Sequence, residues 1–128
     1  MSVLVEISIG DFLDKLSILK IKMEKISDQN KRHNIKKEHD LYLAKLDQAQ
    51  HSKQDVDAIL EKLLEVNLAL WEIEDEIRAK ERNQQFDEGF IELARSVYKT
   101  NDLRAKIKRH ANESLGSRLV EEKSYQGY

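Results

Sequence analysis

The chain has no cysteine, no proline, only four glycines, and aromatic residues make up 6% of it. Without cysteine there is no disulfide scaffold and no thiolate nucleophile, and a zinc site would have to be built from histidine and carboxylates. No apolar run approaches the roughly 20 residues that span a bilayer, and no basic-plus-apolar leader opens the sequence. These absences lead to the expectation of a soluble, cytoplasmic protein that does not insert into membranes. Neither sign of charge prevails: 22 Lys and Arg stand against 24 Asp and Glu, a net charge of -2. Nothing therefore draws the chain as a whole to nucleic acid, and no nucleic-acid partner is expected. No Gly-rich phosphate loop, no G-x-S-x-G and no Ser/His/Asp order is present, so no cofactor is expected and no catalytic residue is assigned.

What the 128 residues do contain is Leu, Ile, Lys, Glu and Ala, with 40% hydrophobic and 36% charged residues, the mix of long helices. The opening "SVLVEIS" alternates like a strand, but one strand cannot stand alone in water. Residues 1–8 are therefore read as an extended arm that either pairs with a copy of itself or lies free. Ser8 has the spacing of an N-cap with Asp11, and Ile7 and Phe12 that of a hydrophobic staple, so a first helix begins there. Its stripe runs Ile9, Phe12, Leu16, Leu19, Met23, Ile26, with Leu13, Ile18 and Ile21 beside it. The rhythm breaks at Ser27–Asn30 and resumes in a new phase at Ile35, His39, Tyr42, Leu46 and Ala49, which predicts a turn and a second helix.

Ser52 and Asp55 repeat the capping spacing. Val56, Ile59, Leu63, Val66, Leu70, Ile73 and Ile77 then alternate in steps of three and four, as in a coiled-coil seam. That third helix should end near Asn83, with roughly 32 residues and a length of about 48 Å. Asp87 can cap a fourth helix reaching about Leu115, with Gly116 suited to the left-handed position that follows. Residues 117–128 form a tail whose first half should pack back. The fold expected is all-α: one helical domain over 1–128, an antiparallel bundle of about four helices with a long 3–4 hairpin. The far part of that hairpin carries Ile73, Ile77, Phe86, Phe90, Ile91 and Leu93 with nothing obvious to cover them, which points to a homodimer.

Four strings, "VEISIGDFLDKLSILKIKMEKI", "VNLALWEIEDEIRAKE", "FIELARSVYKTNDLRAKIKRHANE" and "LVEEKSY", together resemble a family of short bacterial proteins of unknown function. The resemblance covers nearly the whole chain. Members of that family are associated with gene neighbourhoods for surface-polysaccharide and glycosyltransferase proteins. It implies a helical, cytoplasmic protein of bacterial or phage-like kind, and it carries over no catalytic residues.

Chemistry-bearing constellations are sparse. Glu72 and Asp75 lack the companion carboxylate array of a helical pyrophosphohydrolase, and an exposed acidic face explains them better. His33, His39, His51 and His110 are scattered, and His110 with Glu113 gives one i,i+3 pair without a second, so no metal site is assigned. Lys99 to Arg109 is basic, with Lys99, Arg104, Lys106, Lys108 and Arg109 against Asp102. Acidic residues of the third helix (Glu72, Glu74, Asp75, Glu76) are the expected compensation. Trp71 reads as a core anchor.

The core-facing stripe of the fourth helix nevertheless turns polar at Asn101 and Arg104, as the third does at Asn67, Glu74 and Arg78. Two readings follow. In one, these residues form a buried hydrogen-bonded network that fixes helix register. In the other, Lys15, Lys22, Asn67, Asn101, Arg104 and Lys108 line an inter-helix pocket for an anionic metabolite such as a sugar phosphate or dicarboxylate. The first suits a non-enzymatic interaction or assembly module, with a possible protein partner and a link to surface-glycan biosynthesis; the second suits a small enzyme or binding protein.

Overall fold

The computed structural model describes residues 1–128, and they form four helices and no strand: α1 Ile9–Lys25, α2 Gln29–Gln48, α3 Lys53–Arg82 and α4 Glu88–Ser114. Each start is fixed by a capping side chain. Ser8, Asp28, Ser52 and Asp87 accept from the backbone N–H groups of Asp11, Lys31, Asp55 and Phe90, at 3.1, 2.9, 3.3 and 3.0 Å. Each cap satisfies a helix donor that has no partner within the helix. The phase break between the first two stripes is a true turn of three residues, Ile26 to Asp28. α4 ends as its glycine implies: Leu115 is the C-cap and Gly116 has φ +68°, a conformation that costs a residue without Cβ little.

The four helices do not make a square. α1 lies against all three others, α3 lies against α4, and α2 runs along α1 alone. Directions alternate, since α2 meets α1 through Phe12 stacked on Tyr42 (ring centroids 4.8 Å apart) and Lys15 facing Glu38. α4 likewise runs antiparallel to α1, from Asn112 beside Gly10 to Arg104 beside Asp14. The crossing of α1 and α4 is close because residue 10 is glycine. A Cβ there would stand 2.5 Å from the Lys108 carbonyl oxygen and 2.8 Å from Asn112 Oδ1.

One core holds α1, α3 and α4 together: Leu13, Val56, Ile59, Leu63, Val66 and Ala111, with Ile9, Phe12, Leu46, Ile107 and Leu115 packed around it. It lies at the base, where α1 and α3 begin and α4 ends. No residue from Leu68 to His110 is buried. The distal half of the α3–α4 hairpin therefore stands beyond the core, with Phe86 edge-on to Phe90 at 5.3 Å and both Phe86 and Ile91 exposed. Residues 1–7 have no regular structure, and Met1, Val3, Leu4 and Val5 are exposed. The tail lies along α4, tied by Lys108–Glu121 at 2.8 Å, Arg109–Glu122 at 3.0 Å, and Tyr128 edge-on to Tyr98. Arg118 pairs with Glu6, which links tail to arm.

Candidate functional site

A polar layer crosses the molecule just above the core. α1 contributes Asp14 and Ser17, which sit i,i+3 and face inward at 5% and 0% exposure. α3 contributes Asn67, whose Nδ2 donates to Asp14 Oδ1 at 2.9 Å and to Ser17 Oγ at 2.7 Å. α4 contributes Arg104: its Nε donates to Asp14 Oδ1 at 2.8 Å, and a terminal nitrogen donates to Asp14 Oδ2. Ser17 in turn donates to the Asp14 carbonyl at 2.6 Å. The fork of a guanidinium on both oxygens of a carboxylate is the strongest of the common charge pairs.

Burial alone would push the Asp14 carboxyl upward. The hydrogen bonds from Arg104 and Asn67, with the charges of Arg104 and Lys108, outweigh it and hold the group below the usual carboxylate range. The Asp14 contact likewise holds Arg104 charged against the cost of its own partial burial. Three helices thus meet at one ionised carboxylate, and removing any partner leaves charge or amide unsatisfied in the interior.

Beside this layer, towards the distal hairpin, a cleft of about 390 Å³ opens between α1 and α3. Ile18, Ile21, Leu70 and Trp71 form its apolar wall, and Glu74, Asp75, Arg78 and the outer edge of Arg104 its rim. Trp71, expected as a core anchor, is half-buried and forms a wall. Arg78 pairs with Glu74 one turn earlier, at 3.0 Å. Both guanidinia at the rim are therefore already matched by a carboxylate.

Of the six residues singled out as an anion pocket, the structure brings three together. Asn67 and Arg104 share Asp14, and Asn101 Oδ1 stands 3.5 Å from an Arg104 nitrogen. The other three lie apart. Lys15 faces Glu38 of α2 at 3.6 Å, Lys22 lines none of the main clefts, and Lys108 is bound by Asp11 at 2.9 Å and Glu121 at 2.8 Å. The basic run of α4 is compensated by α1 and the tail rather than by the acidic stretch of α3. Glu74 and Arg78 bond to each other and stay outside the polar layer.

Asp14 and Ser17 were not singled out in the sequence, although a signal exists. In "FLDKLSIL" apolar residues flank them on both sides, so burying Leu13, Leu16 and Leu19 takes these two polar side chains inside as well. No group of three or more His, Asp or Glu side chains converges on a point where a metal ion could sit.

Three helices around one core, a fourth laid on the first, and a protruding hairpin define an all-α bundle protein with an internal ion-paired layer and no helix long and apolar enough to cross a membrane. Over residues 3–128 the chain matches the model of a family described as "Family of unknown function (DUF6165)", and it belongs to that family. No curated protein and no solved structure matches it.

Proposed function

We propose that this protein is a non-enzymatic assembly module that works as a symmetric homodimer through the distal half of its α3–α4 hairpin. The observation that carries the reading is the stretch from Leu68 to His110, which holds Trp71, Ile73, Ile77, Phe86, Phe90, Ile91, Leu93 and Val97 without burying one of them. The accessible surface supports it. At 9335 Å² it is about a third larger than the roughly 7,000 Å² of a compact monomer of 15.0 kDa. The exposed arm and tail contribute to the excess along with the hairpin. Apolar side chains left uncovered in this way are what obligate partners cover for one another.

The anionic-metabolite reading has less support, because Arg78 and Arg104 are both paired and Glu74 and Asp75 leave the cleft rim with no excess of positive charge. A role in surface-glycan biosynthesis draws its support from the sequence resemblance alone. Light scattering at micromolar concentration tests the assembly: the expected mass is that of two chains, and Phe90→Asp should give one. A one-chain mass for the wild type overturns the proposal.

A further inference from the structure

The cleft between α1 and α3 contains two acceptors that nothing in the chain satisfies. Asn67 is 6% exposed, and its orientation is fixed because Nδ2 donates to Asp14 and Ser17. Its Oδ1 receives no hydrogen bond, yet the only side-chain atoms sealed away without a partner are the ring nitrogens of His51. The Asn67 carbonyl oxygen therefore opens into the cleft that Asn67 lines. Asp75 lines the same cleft, and its carboxylate makes neither a hydrogen bond nor an ion pair, since Arg78 is bound to Glu74.

Asn67, Trp71 and Asp75 follow one another in steps of four, so they form one row along α3, about 12 Å from end to end. The half-buried indole of Trp71 stands between the two acceptors. Charge adds a second constraint. Arg104 is neutralised by Asp14 and Arg78 by Glu74, which leaves the Asp75 carboxylate as the one uncompensated charge of the cleft. The missing partner is therefore a cation. A bare metal ion does not suit the place, because no three carboxylates or imidazoles converge and Ile18, Ile21 and Leu70 make the wall apolar. A cation that brings its own hydrocarbon does. The geometry points to a binding site for a small organic amine. Its ammonium sits on Asp75 beside the face of Trp71, its apolar body lies against Ile18, Ile21 and Leu70, and a donor at its far end reaches Asn67 Oδ1. Ammonium groups are drawn to aromatic faces, to tryptophan most of all. About 390 Å³ lies within the range of small-molecule sites and has room for an arylethylamine.

Trp71 is the only tryptophan, so its emission reports on this cleft. Calorimetry and Trp71 emission would be followed while 2-phenylethylamine, tyramine, phenylacetate or 2-phenylethanol is added to the wild type, Asp75→Asn and Asp75→Glu. Asp75 is exposed, and helix content by circular dichroism confirms that both variants fold. The expected result is saturable binding of one amine per chain with a shift of Trp71 emission, and no such binding of phenylacetate. Asp75→Asn should weaken the amine at least about tenfold and Asp75→Glu should keep most of the affinity, as a charge contact requires. Tyramine, with a hydroxyl at the far end, should bind more tightly than 2-phenylethylamine, and equal affinities overturn the part given to Asn67. Phenylacetate or 2-phenylethanol binding as tightly as the amine, an Asp75→Asn protein that binds like the parent, or no response to millimolar amine overturns the site. Light scattering on the same samples reads the assembly separately, so the loss of this site leaves the homodimer standing.

Discussion

Asp14 and Arg104, ninety positions apart in the chain, hold each other through two parallel hydrogen bonds at the point where α1, α3 and α4 meet. The pair explains why the inward stripe of α4 turns polar at its middle: the partner is a carboxylate on α1. Its desolvation cost is offset only while every member is present.

Arg104→Met should therefore lower stability by about 3 kcal/mol, because it strands a carboxylate that is 5% exposed. Adding Asp14→Leu to that variant should recover much of the loss, since Asn67 still donates to Ser17. Urea denaturation of the two variants and the parent measures both steps. An Arg104→Met protein as stable as the parent would show that the pair does not hold the fold.

Acid should act through the same carboxylate. The Asp14 group is held below its ordinary value in the fold, so its contribution to stability is full above the unfolded value of about 3.9 and is lost as pH falls through the lower folded value. Melting temperature should be flat from neutral pH to about 5 as far as this group is concerned, then fall. Asp14→Asn should start lower and fall less steeply. Equal slopes for the two proteins would assign acid sensitivity to other carboxylates.

Gly10→Ala should reverse the usual sign of that exchange. In an exposed helix the alanine gains about 0.5–1 kcal/mol. Here its methyl group meets the Lys108 carbonyl and Asn112 Oδ1, and α1 must lift off α4. The hydrogen bond from the Gly10 N–H to Asn112 at 2.7 Å would lengthen with it. A loss of about 1–3 kcal/mol in the denaturation midpoint is the expected outcome.

His51, between α2 and α3, has both ring nitrogens buried without a hydrogen-bond partner. An unpaired polar atom inside costs free energy that an apolar replacement does not. His51→Leu should leave stability unchanged or raise it by up to about 1 kcal/mol, read from the melting temperature. A clear loss would mean that the imidazole has a partner in solution.

The helices were legible because period and punctuation agree. Ser8, Ser52, Asp87 and Gly116 mark ends that the apolar stripes require independently, and the break at Ser27–Asn30 has the same double signature. The polar layer was legible in half. Asn67, Asn101 and Arg104 stand out because they interrupt long stripes, whereas Asp14 hides in a short helix where polar and apolar residues interleave. Which residue compensates which charge was not legible at all. Lys108 is matched by Asp11 and Glu121 through a packing of α1 and tail on α4 that no spacing within one helix encodes.

The placement of the core makes α3 and α4 unequal along their own lengths. Backbone amides near Leu63 or Ala111 sit among fully buried side chains, so their hydrogens should exchange with deuterated water only when the whole molecule opens. Amides near Ile77 or Leu93 have no buried neighbour in a single chain and should exchange by local fraying, turns before the base gives way. Protection along α3 then becomes a measure of how much hydrocarbon stands behind each turn. Any partner that covers the hairpin should slow its far end first.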